Sequence, residues 1–155
     1  MSVRNVILPI AIMAGLSACS VFEPDYYNCE NRLSSYAEGA RSSLITSITN
    51  QNVEVRFNGV SARCYDNEDV TIMEVGIGLK VLRDIEENVE VAPVNVPIAS
   101  AILDGQDEVQ TYETFSYDMQ FPDGVRVLYP LVRREFTLAK DGRLIIALTP
   151  EQLLP

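Results

Sequence analysis

The sequence has no histidine and no tryptophan among its 155 residues. Without an imidazole, the chain cannot form a Ser-His-Asp triad, supply a histidine base or bind zinc through histidine. No two of its three cysteines have the C-x-x-C spacing of redox and zinc motifs. We therefore expect no enzymatic activity and no cofactor. The alternative of carboxylate-only catalysis, as in glycoside hydrolysis, needs two acids facing a cleft.

Basic residues are also few. The chain has 12 Lys and Arg against 22 Asp and Glu, which gives a net charge of −10. Only Arg133 and Arg134 form an adjacent basic pair. Phosphate groups are bound by clustered Lys and Arg. Nucleic acid and anionic lipid headgroups are therefore not expected partners.

The N-terminal segment is apolar, but it is too short to cross a membrane. Arg4 precedes an apolar run at residues 6–14 that Pro9 and Gly15 interrupt, whereas a transmembrane helix needs about 20 apolar residues. A charged residue, an apolar run and then small residues are the order of a secretory signal. The segment closes on Leu-Ser-Ala-Cys at Cys19, which resembles a bacterial lipobox. An ordinary signal peptide is the alternative.

The lipobox resemblance implies a signal peptide at residues 1–18, a lipid anchor on Cys19 and a tether up to residue 28. Cleavage would remove one basic residue and no acidic one, so the net charge would become −11. Ser20, and not Asp, follows the cysteine, and by resemblance this favours the periplasmic face of the outer membrane. The periplasmic face of the inner membrane is the alternative. At about 3.3 Å per residue the extended tether reaches only ~30 Å, so we expect the domain to lie near its membrane.

Lipidation of Cys19 would leave Cys29 and Cys64 in an oxidising compartment. Cysteines in such a compartment are expected to pair. On the chain-entropy model, a loop of about 35 residues predicts about 3.5 to 4 kcal/mol of stabilisation. A reactive thiol or a metal-binding pair is the alternative.

Hydrophobic spacing predicts one short helix followed by strands. Apolar residues recur at helical spacing in residues 33–48, with Ser34 as the N-cap. After Asn52 the period becomes two, which is typical of strands. Asn58-Gly59 predicts a turn or bulge within this region. A one-residue slip in the alternation predicts a further bulge near Ile72.

Turn signals divide the second half of the chain. Three Asp-Gly pairs predict tight turns, because both residues tolerate positive φ: Asp104-Gly105, Asp123-Gly124 and Asp141-Gly142. The predicted strand at residues 125–138 places Val127, Tyr129 and Leu131 on one face. Prolines 93 and 97 confine part of residues 89–103 to a sheet edge or to irregular backbone.

The strand count and turn spacing predict a mainly β fold. We expect an antiparallel immunoglobulin-like sandwich of six or seven strands with one short N-terminal helix. A small β-barrel is the alternative. Residues 29–155 are expected to form a single domain.

Two groups of side chains are candidate binding sites. Asp66, Glu68 and Asp69 have oxygen ligands suited to Ca²⁺, but a solvated turn is the favoured interpretation, and no metal is expected. Phe115 and Tyr117 share one strand face and offer a possible carbohydrate-binding face. Alternating aromatics in a sheet more often belong to the core. Tyr26 and Tyr27, in the tether, either lie at the level of the lipid headgroups or pack on the domain.

Six short segments between residues 29 and 153 occur in an order that resembles a known family. They are an early cysteine at Cys29, Val-Ser-Ala-Arg-Cys ending at Cys64, a long strand at residues 70–82, Val-Pro-Ile-Ala-Ser-Ala-Ile-Leu-Asp-Gly at 96–105, Phe-Pro-Asp-Gly at 121–124 and Leu-Thr-Pro-Glu-Gln-Leu at 148–153. In this order they resemble a family of small alphaproteobacterial outer-membrane lipoproteins of unknown function. None is a catalytic signature. The resemblance implies the disulfide and the sandwich, and no active site.

These observations predict a lipid-anchored periplasmic protein that acts as a structural or interaction module of the cell envelope. Its expected partners are the membrane, through the anchor, and another envelope protein. The alternative is a ligand-binding lipoprotein for a small molecule, sugar, peptide or cation.

Overall fold

The computed structural model describes residues 23–35, 42–46, 52–84 and 93–148. These residues form two facing β-sheets around one apolar core. The strands are β1 (Tyr27–Asn28), β2 (Leu33–Ser35), β3 (Ser42–Thr46), β4 (Asn52–Asn67), β5 (Val70–Arg83), β6 (Val94–Leu103), β7 (Val109–Met119), β8 (Val127–Leu128), β9 (Leu131–Ala139) and β10 (Arg143–Leu148).

The first sheet is built on the long hairpin of β4 and β5. Strands β1 and β3 pair with the outer side of β4, and strands β8 and β9 pair with the outer side of β5. The second sheet has the order β2-β10-β6-β7. All pairs are antiparallel except β2 with β10. The predicted sandwich is therefore confirmed, and within the described ranges the sheets do not close into the alternative barrel.

Period-two alternation builds the core. On β5, the side chains of Met73, Val75, Ile77 and Leu79 are each at most 2% exposed, while the residues between them lie on the outer face. Strands β6 and β10 contribute the facing layer, with Ile98 and others fully buried. Burying a Val, Leu or Ile side chain stabilises a fold by about 1.5 to 3 kcal/mol. This alternation therefore provides the main drive for the two sheets to face each other.

The prediction of an N-terminal helix at residues 33–48 is wrong for those of its residues that the structure describes. Glu30–Arg32 form a single 3-10 turn, and strands β2 and β3 follow, with Ser34 inside β2. Residues 36–41 and 47–51 lie outside the described residues. Pairing with β10 and β4 supplies the backbone hydrogen bonds of β2 and β3. Long-range sheet pairing overrides a weak local helical pattern that contains Gly39 and several serines.

The bulge lies on β4 and not on β5. The pairing of β5 with both neighbours runs without a shift through Ile72, so the predicted bulge there is wrong. The register shifts between Phe57 and Gly59, where Asn58-Gly59 predicts a turn or bulge. Gly59 has a φ of 140°, which favours glycine. The alternation suggested a bulge because Ile72 is apolar although it lies on the outer face, opposite Tyr65. It is nevertheless only 8% exposed.

All three Asp-Gly pairs form turns, but only one closes a hairpin. Asp104-Gly105 joins the paired strands β6 and β7. Asp123-Gly124 leads from β7 to β8, and Asp141-Gly142 leads from β9 to β10, so both turns cross between the sheets. A turn signal reports local backbone geometry, while the sheet that receives the next strand depends on long-range pairing.

The predicted strand at residues 125–138 is interrupted. Strand β8 ends at Leu128, and β9 begins at Leu131. Tyr129 and Leu131, which the prediction placed on one strand face, are 63% and 53% exposed. The opposite parity is buried instead, including Val132, Phe136 and Leu138. Because side-chain parity is constant along a strand, this larger apolar set determined which face turned inward.

Pro97 lies inside strand β6 and is buried. Strand β6 lies between β10 and β7, but within the described residues the part that contains Pro97 pairs only with β7 and therefore lies at a sheet edge, as expected. The pairing of β6 with β10 reaches only to Ile98 in the described residues. Pro97 can therefore lack an N–H donor without breaking that part of the ladder.

Candidate functional site

The predicted disulfide is confirmed and fastens the start of the domain. Cys29 follows β1, and Cys64 lies in β4, with their Cα atoms 5.9 Å apart. Both side chains are at most 1% exposed. Strand β1 pairs with the same region of β4, with Tyr27 opposite Cys64. The segment that leads into the domain is therefore attached to the first sheet by a covalent bond and by backbone pairing. Cys19, the predicted lipidation site, lies outside the described residues.

Tyr26 makes a third attachment, on the outer face of the first sheet. Its hydroxyl donates a hydrogen bond to Glu74 at 2.5 Å, and its ring meets Tyr65 edge-on with centroids 5.4 Å apart. The Arg63 guanidinium lies 4.1 Å from the ring centroid and pairs with Glu74 at 2.6 Å. We call Tyr26, Arg63, Tyr65 and Glu74 the tyrosine latch. Of the two placements predicted for Tyr26, packing on the domain is confirmed.

The latch shifts the ionisation of its members. The hydrogen bond from Tyr26 is the largest cause that lowers the pKa of Glu74, and Arg63 lowers it further. The same hydrogen bond raises the pKa of Tyr26, because the neutral hydroxyl donates to a carboxylate. Glu74 is therefore ionised at neutral pH.

A groove lies on the outer face of the first sheet, where the latch residues Arg63 and Glu74 form part of its lining. Gly76 of β5 lines it and lies opposite Ser61 of β4, which also lines it. The groove has a volume of about 690 Å³, and Leu131 of β9 lies on its other side. We call it the glycine groove. Gly76, a glycine within a strand of alternating apolar residues, is the sequence signal that could have revealed it, and the sequence analysis missed it.

Charged side chains of both signs line the glycine groove. Arg133 of β9 lies opposite Gly76, and Glu135 lies opposite Glu74. Arg133 also contributes to the lowered pKa of Glu74, so the two side chains are close enough to interact. Guanidinium groups donate hydrogen bonds, while carboxylates accept them. The groove can therefore contact a ligand that carries both donors and acceptors, such as a polyhydroxylated one.

The structure does not assemble the predicted calcium ligands into a site. Asp66 accepts hydrogen bonds from the hydroxyls of Tyr27 at 3.1 Å and Thr71 at 2.9 Å. The Thr71 bond is the largest cause of its lowered pKa. Glu68 lies in the turn with a φ of 51°. Across the ranges that the structure describes, no three His, Cys, Asp or Glu side chains are grouped to hold a metal ion.

Phe115 and Tyr117 do not form an exposed binding face. Both lie on the inward side of β7, half-buried against the core. The Phe115 ring is 6.4 Å from the Phe136 ring, and the Arg134 guanidinium lies 4.2 Å from its centroid. Their packing against the core favours the core interpretation over a carbohydrate platform. The exposed aromatic residue of β7 is Tyr112, at 66%, which the sequence analysis did not single out.

None of the protein-family models, curated proteins or solved structures compared with this chain matches it. Within the described ranges, no helix is long and apolar enough to cross a membrane.

Proposed function

We propose that this protein is a lipid-anchored envelope protein whose β-sandwich acts as an interaction module held close to the membrane. The observation that carries the proposal is the attachment of the chain to the first sheet from Tyr26 onward. The latch, strand β1 and the disulfide act on four consecutive residues, Tyr26 to Cys29. A domain attached this way has little freedom to move away from its anchor.

The latch shortens the tether. If Cys19 is lipidated, only residues 20–25 separate it from the first attached residue, and at about 3.3 Å per residue these span at most ~20 Å. Each buried acyl CH₂ adds about 0.8 kcal/mol, so two or more chains would make the attachment stable. The outer membrane's periplasmic face is the proposed location, on the basis of Ser20.

The side chains on the domain surface favour an interaction role over catalysis. Glu74, which lines the groove, is engaged by Tyr26 and Arg63 of the latch. Tyr112, Tyr129 and Leu131 are more than half exposed. Aromatic and aliphatic side chains at the surface are typical anchors of protein–protein contacts.

Anchoring is tested by replacing Cys19→Ala in the full chain. We expect the wild-type protein to sediment with the membranes and to carry acyl chains in its intact mass. The variant should keep an uncleaved or differently cleaved N-terminus and carry no lipid mass. A wild-type N-terminus without lipid would contradict the proposal.

The interaction role is tested by lengthening the tether. Insertion of a flexible segment of about 20 residues after Ser20 should preserve lipidation and folding, because it lies before the latch. We expect cross-links to envelope partners, formed in native membranes and read by mass spectrometry, to fall when the domain can leave the membrane surface. Insertion of the same segment after Pro155 is the matched control. If both insertions leave the cross-links unchanged, membrane proximity has no part in the function.

Ligand binding in the glycine groove is the second candidate function, because the groove places Gly76, which has no side chain, beside the charged side chains of Arg133 and Glu135. Sugars match such a lining, since their hydroxyls both donate and accept. Periplasmic glycan fragments should raise the thermal unfolding temperature of the wild type, and Arg133→Ala should abolish the rise. Arg126→Ala, an exposed arginine outside the groove, is the control. No rise with the wild type excludes this candidate.

A further inference from the structure

Strand β7 is an edge strand whose outward side chains are uncharged from Gln110 to Ser116, and the outward Asp118 near its end accepts a hydrogen bond from Asn95. The strand has 11 residues and pairs only with β6 among the residues that the structure describes. Its outward side chains Tyr112, Thr114 and Ser116 are all exposed. The outer side of an edge strand presents unpaired backbone N–H and C=O groups, which can pair with a further strand.

The other long edge strand, β9, differs in its charges. Arg133, Arg134 and Glu135 stand in succession on it, and charged side chains on an edge oppose the addition of a further strand. Between residues 111 and 117, β7 carries a single charge, Glu113. That carboxylate pairs with Arg134 at 3.1 Å. The middle of β7 is therefore neutralised, although the whole chain has a net charge of −10.

From this edge we propose that β7 pairs antiparallel with β7 of a second copy, so that the two second sheets form one continuous sheet across a two-fold axis at Thr114. The proposal names one partner for the interaction module and rests on that function. Local neutrality favours a second copy, because two chains of charge −10 can approach here without like charges meeting. Anchoring to one membrane would also raise the local concentration of copies.

Three considerations select the register. Side chains that point inward in one copy must lie opposite side chains that point inward in the other. On β7 the inward residues have odd numbers, so the numbers of two paired residues add up to an even number. A centre at Thr114 pairs all 11 residues of Val109–Met119 with their counterparts. A centre at Glu113 would place two carboxylates opposite each other, and like charges directly opposite are destabilising.

The resulting cross-strand pairs are compatible on the exposed face. Thr114 lies opposite Thr114 of the second copy, and each Tyr112 lies opposite Ser116. Thr–Thr pairs and aromatic contacts each add about 0.2 to 1 kcal/mol to a sheet. Symmetric contacts of this kind are typical of two-fold dimers.

The register is tested by cysteine cross-linking of the full chain in native membranes. Cβ atoms of directly opposed residues are about 4.5 to 5.5 Å apart, so Thr114→Cys should form a covalent dimer on mild oxidation. Cys29 and Cys64 are already bonded to each other. Ser116→Cys is the matched control, because its two copies would be about 13 Å apart at 3.3 Å per residue, beyond the reach of a disulfide. Equal cross-linking of both variants, or none with Thr114→Cys, overturns the proposal.

A second measurement separates this dimer from the proposed anchoring. The wild-type protein in detergent should be dimeric by light scattering, and Thr114→Lys should weaken dimerisation at least about tenfold, because two lysines would then face each other. Thr137→Lys, at an exposed position of β9, should leave the dimer intact. A monomeric wild type with a normal lipid anchor overturns the dimer and leaves the anchoring proposal standing. A wild type that is dimeric but carries no lipid overturns the anchoring proposal and leaves the dimer standing.

Discussion

The two sides of the sandwich are held together in different ways. On one side the N-terminal segment joins the sheets: β1 extends the first sheet, β2 extends the second, and the Cys29–Cys64 bond lies between them. On the other side, β7 and β9 share no backbone pairing within the described residues. Side chains connect them, through the Arg134–Glu113 ion pair, the Phe115–Phe136 contact and the Arg134 guanidinium over the Phe115 ring.

The difference shows which side of the domain holds the incoming chain and which side has a strand edge that a partner can reach. The N-terminal side uses covalent and backbone bonds, because β1 and β3 pair with the outer side of β4 and β2 pairs with β10. The β7–β9 side leaves the backbone edge of β7 available within the described residues, while its side chains still cover the core. Under the proposed anchoring, the domain is held at its N-terminal side and can meet a partner at the edge of β7.

The largest effect is expected from removing the disulfide on the N-terminal side. Replacing both cysteines by alanine should lower the free energy of unfolding by about 4 kcal/mol, because the bond closes a loop of 35 residues. Urea unfolding of the variant and of the wild type, each with and without reductant, measures the loss. A double variant as stable as the oxidised wild type would mean that backbone pairing alone closes this side.

Arg32 is the next strongest contact on the N-terminal side. Its guanidinium donates to the carbonyl oxygens of Gly142 and Ala139, each at 2.8 Å. Hydrogen bonds to charged groups contribute about 1.5 to 3 kcal/mol, so Arg32→Met should cost about 2 kcal/mol in urea unfolding. The control is Arg56→Met, an exposed arginine paired with Glu54, where we expect a loss below about 0.5 kcal/mol. Equal losses would show that Arg32 contributes no more to the free energy of unfolding than an exposed arginine.

On the β7–β9 side, Arg134→Met should cost less than Arg32→Met. The Arg134–Glu113 pair is more than one-third exposed on both sides, and such pairs contribute about 0 to 1 kcal/mol. Methionine keeps apolar contact with the Phe115 ring. We expect a loss of about 0.5 to 1 kcal/mol by the same measurement. A loss as large as that of Arg32→Met would remove the contrast between the two sides.

The smallest effect concerns pH and the tyrosine latch. The folded-state pKa of Glu74 is lowered by Tyr26, so its contribution to stability is present above the unfolded pKa of about 4.3 and is lost as pH falls. Tyr26 has a raised pKa, so its contribution is present below about pH 10 and is lost as pH rises further.

Tyr26→Phe should therefore make urea midpoints depend less on pH both between pH 3 and 6 and above pH 9. Tyr129→Phe, at an exposed tyrosine, is the control and should keep the wild-type profile. An unchanged profile in Tyr26→Phe would show that the latch hydrogen bond does not form in solution.

Several features could be predicted because they depend on local patterns. Period-two alternation predicts the long strand β5, and cysteine counting predicts the Cys29–Cys64 bond. The tyrosine latch could be foreseen only in part. Tyr26 was expected to meet either the domain or the membrane, but its partner Glu74 is 48 residues away. No local pattern reports a contact at that separation.

By itself, the sequence determined the long strands β4 to β7, strand β10, the turns and the cysteine pair. Alternating apolar residues must bury one face, and Asp-Gly pairs favour tight reversals, whatever lies around them. Only the tertiary structure decided the rest. Pairing partners turned a helical pattern at residues 33–48 into strand β2 and strand β3, and the larger buried set on β9 turned Tyr129 and Leu131 outward. Backbone hydrogen bonds and buried area are summed over whole sheets, so these long-range terms outweighed each local preference.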